Sequence, residues 1–178
     1  MKTRIADVAL GLFARRGIDG VSISEIALAS GVSKANVLHH FSTKAGVYAA
    51  CLELIDARLH SAVDTAVAGD APLDDLRTAL EQWALQHPDD LRVMAYGLLR
   101  LPEHGGRWAL SGPVTRMTDL VTVEFSGDVA AASAAVVDLL GTVTYREMAR
   151  PLTEAHPVTT AAATNADAAS LEPRSRRA

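Results

Sequence analysis

Three polar residues within six positions, Lys34, Asn36 and His39, carry side chains suited to recognising nucleic acid. An ammonium group binds phosphate oxygens, whereas amide and imidazole groups form hydrogen bonds with the edges of bases. If this stretch is helical, at about 100° per residue, Ala35 and His39 point almost directly away from an inward-facing Val37. An ordinary solvated helix face has the same pattern, so periodicity alone leaves both interpretations open.

Capping residues predict two helices before this stretch. Apolar residues recur at three- and four-residue spacing over 4–16, and Gly17 ends that first helix. Ser22 and Glu25 have the spacing of a capping box, so a second, short helix begins there. Gly31 ends it, because glycine adopts the positive φ that a tight turn requires.

The third predicted helix begins at Ser33, which is its N-cap. Val32 and Val37 have the spacing of a hydrophobic staple, and the resulting helix of about nine residues fits a DNA major groove about 12 Å wide. His40 lies beside Val37 on this pattern, and we expect it to be buried in the core. We expect no metal on His39 and His40, because neighbouring helical side chains diverge by about 100°.

The segment FARRGIDGVSISEIALASGVSKANVLHHFSTKAGVY, residues 13–48, resembles the DNA-binding segment of TetR-family transcriptional regulators. The resemblance covers about residues 4–50. The family pattern runs from a Phe-x-x-x-Gly helix end, through a Ser/Thr-x-x-x-Ile-Ala helix and Gly-Val-Ser, to a lysine that opens a long fourth helix. The matching positions are Phe13, Gly17, Ser22, Ile26, Ala27, Gly31, Val32, Ser33, Phe41 and Lys44.

The resemblance implies roles for individual residues. Lys44 would hold a DNA phosphate at the start of the fourth helix, and Asn36 and His39 would contact base edges. Family members usually carry tyrosine where this chain has Leu38 and His40, so Leu38 would offer an apolar contact, for example to a thymine methyl group. The expected DNA-binding residues are Ser22, Ser33, Lys34, Ala35, Asn36, Leu38, His39 and Lys44.

Composition and charge limit the class of protein. Apolar residues make up 49% of the 178 residues, aromatic residues only 4%, and no stretch alternates as a strand does, so the expected fold is all-α. The first fifty residues carry a net charge of +3, although the whole chain carries −4. The single cysteine, Cys51, excludes an internal disulfide, and no apolar run is long enough to span a bilayer, which fits a cytoplasmic protein.

Helical patterns continue through the rest of the chain. A long helix is expected from Thr43 to about Ala68, others from Pro72, from Pro88, over 114–125 and over 128–148, and a loop over 102–113. The final helix has more apolar surface than its neighbours can cover, which predicts a homodimer, and TetR-family members are similarly two-fold dimers. We therefore divide the chain into a helix-turn-helix DNA-binding domain (1–45), a helical effector-binding and dimerisation domain (46–150) and a disordered tail (151–178).

The second domain is expected to enclose an apolar pocket for a small-molecule effector. Candidate lining residues are Trp83, His87, Arg92, Met94, Tyr96, Trp108, Met117 and Tyr145, with Arg107 as a further polar group, although such residues also fill ordinary cores. No catalytic triad, phosphate loop or metal-ligand spacing is present, so we expect neither an enzyme nor a cofactor. The leading hypothesis is a dimeric repressor released from a palindromic operator by an effector. The alternative is a helical interaction or non-specific DNA-binding protein without effector control.

Overall fold

A computed structural model describes residues 1–66, 71–99 and 110–155 of the chain, and within these ranges all the regular elements are helices. The predicted all-α class is therefore confirmed. The α-helices are α1 (Lys2–Arg16), α2 (Ile23–Ser30), α3 (Lys34–Phe41), α4 (Lys44–Ala66), α5 (Pro72–Gln86), α6 (Pro88–Leu99), α7 (Ser111–Val121) and α8 (Val129–Ala155). A short 3-10 helix, Thr122–Phe125, follows α7. None of the helices in the described ranges has the length and hydropathy to cross a membrane.

Helix α4 is the central element of the compact unit Met1–Met148. It packs against α1 on one side and against α5 and α7 further along its length. Its inward residues are buried and follow a strict four-residue spacing, which places them in one stripe: Val47, Cys51, Ile55, Leu59 and Val63. The predicted long helix is confirmed from Lys44 to Ala66, and residues 67–70 lie outside the described ranges.

Proline and aspartate define the starts of α5 and α6. Pro72 occupies the first turn of α5, where a backbone N–H has no carbonyl partner within the helix, so the missing N–H of proline costs no hydrogen bond. Asp74 and Asp75 add negative charge at the positive end of the helix dipole. Helix α6 begins at Pro88 in the same way. The helix start predicted at Pro88 is confirmed, and α5 ends just before it at Gln86, with the N–H of the C-cap residue His87 bonded to the carbonyl of Trp83.

The last two helices differ from the expected bounds. Helix α7 begins at Ser111, three residues before the predicted start, and changes to a 3-10 helix at Thr122 before Ser126 adopts a left-handed conformation. Asp128 caps α8, since its Oδ1 accepts hydrogen bonds from the N–H groups of Ala130 and Ala131, each at 3.0 Å. Helix α8 does not end near residue 148 but continues through Pro151 to Ala155, although proline inside a helix removes a backbone hydrogen bond.

The start of the expected disordered tail, 151–155, is therefore helical, and 156–178 lie outside the described ranges. The predicted boundary after residue 45 falls in the first turn of α4, and this division of the chain remains a prediction.

Candidate DNA interface

The start of α2 is fixed by a capping box that also reaches α1. The N–H of Ser22 donates to Glu25 Oε2 at 2.8 Å, and the N–H of Glu25 donates to Ser22 Oγ at 3.2 Å. Arg16 donates to the other carboxylate oxygen of Glu25 at 2.7 Å. The hydrogen bond from Arg16, followed by those from Ser22, lowers the pKa of Glu25 to about 2. The predicted cap is confirmed, and it joins the end of α1 to the start of α2.

The turn between α2 and α3 is held by backbone and side-chain hydrogen bonds. Gly31 has a φ of 66°, in the left-handed region that glycine adopts without strain, and the N–H of Val32 bonds to the carbonyl of Ala27 at 3.0 Å. Arg4, on α1, donates to the carbonyl of Ser30 at 2.6 Å. Ser33 then caps α3, its Oγ accepting the N–H of Asn36 at 3.1 Å. Together these contacts fix the direction in which α3 leaves α2.

Helix α3 has a buried face and an exposed face. Val37 and Phe41 are buried against the neighbouring helices α2 and α4. The expected outward residues Ala35 and His39 are exposed, as are Lys34 and Leu38, the latter with 37% of its surface accessible. The helix therefore presents a small, partly basic surface centred on Ala35 and His39.

Two residues of α3 differ from expectation. His40 is exposed, not buried, because α2 and α4 pack against the side of α3 that carries Val37 and Phe41 and leave its edge open. Its ring instead contacts the rings of His39 and Phe41 edge to face, with centroids 5.4 and 6.2 Å apart. Asn36 is half-buried, and its Oδ1 is buried without a hydrogen-bond partner in the described part of the chain.

A tight turn joins α3 to α4. Ser42 has a φ of 62°, a strained value for a residue with a Cβ, and the N–H of Thr43 bonds back to the carbonyl of Phe41 at 2.6 Å. Thr43 Oγ1 accepts the N–H of Gly46 at 3.0 Å and so caps α4. The same carbonyl of Phe41 lies so close to Gly46 that a Cβ built there would meet its oxygen at 2.1 Å. This junction holds α3 firmly against the first turn of α4.

Three lysines lie on α3 or near its ends. Lys34 lies in the first turn of α3, and Lys44 lies at the first position of α4, half-buried. Lys2, on α1, has its Nζ 5.8 Å from the centre of the Phe41 ring. Sequence reasoning missed Lys2, because only the fold brings α1 beside α3, and it missed Thr43, whose place just before Lys44 is itself a capping signal.

The expected pocket residues are not brought together. Trp83 and His87 line a cavity of about 260 Å³ between α4 and α5, whereas Arg92 and Tyr96 line a different one of about 330 Å³ beside Ala14 of α1. Met94 and Met117 are buried in the core, and Tyr145 is 77% exposed on α8. Trp108 and Arg107 lie outside the described residues. The described members of the set therefore do not line one cavity, because they were chosen by residue type and not by position on the helices.

Arg58 of α4 joins three helices beside the first cavity. Its Nη1 donates to Asp90 Oδ1 of α6 at 2.8 Å, and its Nη2 donates to Asp7 Oδ1 of α1 at 2.5 Å. Burial raises the pKa of Asp90 to about 6, despite the opposing charge of Arg58. Burial, and then the charge of Arg58, lowers the pKa of His87, which therefore favours a neutral imidazole near neutral pH. Sequence reasoning missed this cluster, whose members are 32 and 51 residues apart.

The remaining candidate for reactive chemistry, Cys51, is a core residue. Its Sγ donates to the carbonyl of Ala6 at 3.2 Å, and burial raises the pKa of its thiol to about 12. In the ranges that the structure describes, no three His, Cys, Asp or Glu side chains gather as metal ligands.

Helices α2 and α3 form a capped helix-turn-helix whose second helix is exposed and bordered by lysines, which is the architecture of a major-groove DNA-binding module. Residues 5–51 match the family model described as bacterial regulatory proteins, tetR family. This DNA-binding segment is therefore of the TetR type, and the chain as a whole is similar to TetR-family transcriptional regulators.

Relatives agree with this assignment. The chain is 36% identical over 106 residues to the HTH-type transcriptional regulatory protein RaaS of Mycobacterium tuberculosis, covering 60% of this chain and 47% of RaaS. It is 38% identical over 48 residues to IcaR of Staphylococcus aureus, a negative transcriptional regulator of the biofilm operon icaADBC, covering 27% of this chain and 26% of IcaR. The chain thus spans about half the length of RaaS and about a quarter of the length of IcaR.

The fold has solved counterparts. One is the crystal structure of the multidrug binding protein EbrR complexed with imidazole, with a TM-score of 0.64 and 20% identity. The similarity covers 83% of this chain and 79% of EbrR, so it extends well beyond the helix-turn-helix.

Proposed function

We propose that this protein is a dimeric transcriptional repressor that inserts α3 into the major groove of operator DNA and is released by a small-molecule effector. The observation that carries the proposal is the exposed face of α3, centred on Ala35 and His39, on a helix fixed at both ends. A small residue at the centre of that face lets the helix backbone approach the base pairs. The cytoplasm, where the DNA lies, is the corresponding location.

Phosphate contacts would orient α3 in the groove. Helix N-termini attract anions, because their first N–H groups are free and the helix dipole is positive there. Lys34 and Lys44 add ammonium groups at the N-termini of α3 and α4, and Ser22 and Ser33 lie at the caps of α2 and α3. In this arrangement the two lysines contribute mainly affinity, which depends on salt and not on base sequence.

Base contacts would come from the exposed face itself. His39 offers a ring nitrogen to a base edge, and Leu38 offers an apolar surface to a thymine methyl group. Asn36 contributes to base recognition only if its half-buried amide turns outward when DNA binds, and its unpaired Oδ1 means that such a rotation breaks no existing bond of that atom.

Dimerisation would use the exposed face of α8. Five of its exposed residues are small or apolar and recur every three or four residues along one stripe, which is the pattern of a helix-packing seam. They are Ala130, Ala134, Val137, Gly141 and Tyr145, of which Val137 is 59% and Tyr145 77% exposed. A two-fold dimer presents two copies of α3, which suits half-sites about 34–36 Å apart on a roughly palindromic site.

Repression and release are supported by the relatives' names. IcaR is a negative regulator, and EbrR binds multiple drugs. In this chain the cavity lined by Trp83 and His87 is the preferred effector site, because the indole Nε1 of Trp83 is buried without a hydrogen-bond partner in the described residues. A bound molecule with an acceptor atom would satisfy it.

The test is selection of genomic fragments by the purified protein at about 150 mM salt, followed by binding assays on the selected site. Lys44→Ala should weaken binding to specific and random DNA alike and reduce the salt slope by about 1. His39→Ala should instead relax the preference for the selected site. Arg77→Ala, an exposed cation on α5, is the control and should change neither.

Selection of fragments without a common site would contradict the repressor proposal. That result would favour the alternative, a non-specific DNA-binding or helical interaction protein, for which the replacement of the usual tyrosine by Leu38 is the motivating feature.

A further inference from the structure

Arg58 lies at a meeting point of the proposed effector cavity and the DNA-binding module. It lines the cavity between α4 and α5, and its guanidinium also holds Asp7 of α1 and Asp90 of α6. Helix α1 packs against α2, α4 and α6, so Asp7 is one of the ties between the helix-turn-helix and the body. A ligand that engages Arg58 from the cavity would therefore compete directly with that tie.

We propose that the cavity binds a small carboxylate ligand through Arg58, and that the ligand carboxylate replaces Asp7 as the partner of the guanidinium, freeing α1 from its side-chain tie to α4. This inference rests on the proposed function and assigns to its effector site a ligand chemistry and a route of regulation.

The walls of the cavity favour an acceptor-bearing ligand. The described lining contains no Asp or Glu side chain, and it offers the guanidinium of Arg58, the hydroxyls of Ser61 and Thr65 and the buried, unpaired indole N–H of Trp83. A carboxylate accepts several hydrogen bonds and pairs with a guanidinium in a bidentate geometry. At about 260 Å³ the cavity is slightly below the usual range of about 300–1,000 Å³ for drug-sized ligands, which favours a small acid.

Exposure decides which carboxylate leaves. The side chain of Asp7 is 57% exposed, so it returns to water with little penalty, whereas that of Asp90 is 1% exposed and needs Arg58 to offset its burial. Exchange at Asp7 thus preserves the buried pair and breaks only the exposed one. The bond that is lost is the one that reaches α1, one turn from Arg4, which donates to the last carbonyl of α2.

Linkage makes the exchange reciprocal. If the ligand weakens DNA binding by some factor, DNA must weaken ligand binding by the same factor. Removing the charge of Asp7 should abolish that coupling and at the same time tighten ligand binding, because the ligand no longer competes with Asp7. A merely structural role for Asp7 does not produce this opposite pair of effects.

The experiment uses the full chain and matched acid and amide pairs: acetate and acetamide, butyrate and butyramide, benzoate and benzamide. Binding is measured by calorimetry, and affinity for the selected DNA site is measured with and without each compound. At least one acid should bind ten-fold or more tightly than its amide and weaken DNA binding by five-fold or more. Asp7→Asn should bind that acid several-fold tighter and lose the effect on DNA.

Two further variants complete the test. Arg58→Gln combined with Asp90→Asn removes the guanidinium without leaving a buried charge, and it should no longer distinguish acid from amide. Asp64→Asn, which removes another exposed Asp–Arg pair between helices, that of Asp64 with Arg116, is the control and should behave as the wild type. The proposal is overturned if no acid binds better than its amide, if the double variant keeps the preference, or if Asp7→Asn retains the coupling. Specific DNA binding by the wild type without any added acid or amide is measured in the same assays, and it tests the proposed function separately.

Discussion

Replacing Asp90 by asparagine should stabilise the protein at neutral pH. The carboxyl of Asp90 is 1% exposed, and burial raises its pKa from the ordinary 3.8 to about 6, although Arg58 opposes the shift. At about 1.36 kcal/mol per pH unit, ionising this group in the folded protein costs about 3 kcal/mol relative to the unfolded chain. Asparagine resembles the protonated carboxyl and keeps an oxygen that accepts from Arg58, so Asp90→Asn should gain up to about 3 kcal/mol at pH 7.5.

The pH dependence follows from the same linkage. Between pH 4 and 6 the folded protein keeps a proton on Asp90 that the unfolded chain releases, so this group's contribution to stability falls as pH rises. His87 has the opposite sign, because its lowered pKa makes the folded protein lose stability as pH falls below about 6.5. His87 titrates in both proteins, whereas Asp90 titrates only in the wild type. The difference in the free energy of unfolding between the two proteins therefore isolates Asp90.

The assay is urea unfolding followed by circular dichroism at pH 4.5, 5.5, 6.5 and 7.5, at one protein concentration. With these pKa values the difference in the free energy of unfolding should be about 1 kcal/mol at pH 4.5 and should grow to about 3 kcal/mol at pH 7.5. A variant less stable than the wild type at pH 7.5 would refute the reasoning, since it would mean that the buried ion pair with Arg58 is net stabilising.

Three further outcomes are expected. Ser22→Ala removes the cap of α2 and should lower the free energy of unfolding by about 1 kcal/mol in the same urea assay, whereas Ser24→Ala, on the exposed side of α2, should change it little. Cys51 should react with a thiol reagent at pH 8 on the order of 1,000-fold more slowly in the folded protein than in urea, because of its raised pKa and burial; equal rates would contradict the described core. Val137→Glu should convert the proposed dimer to monomer in sedimentation velocity with unchanged helicity, and a persistent dimer would exclude the α8 face as the interface.

Local chemistry made the helix-turn-helix predictable. Short-range hydrogen bonds from capping side chains mark three helix starts, and the structure contains all three caps: Ser22 with Glu25, Ser33, and Asp128. The start of α5 at Pro72 was predictable for the same reason. The outward direction of Ala35 and His39 also followed from helical geometry alone.

Features that depend on long-range packing were not predictable. The exposure of His40 depends on which sides of α3 are covered by α2 and α4, which the periodicity of an eight-residue helix does not determine. The continuation of α8 through Pro151 contradicts the usual reading of proline as a helix end. Arg58 meets Asp7 and Asp90 only because α1, α4 and α6 pack together, and nothing in the spacing of the three residues indicates it.

Gly46 limits how this protein can be re-engineered for new binding sites. Any side chain at that position would collide with the carbonyl oxygen of Phe41, at 2.1 Å for the first carbon alone. The collision would displace the whole of α3, and every contact of its outer face would shift together. A combinatorial library could therefore randomise residues 35, 38 and 39, which are exposed on α3. Residue 46 has to remain glycine if all the variants are to keep the same position of α3 on the DNA.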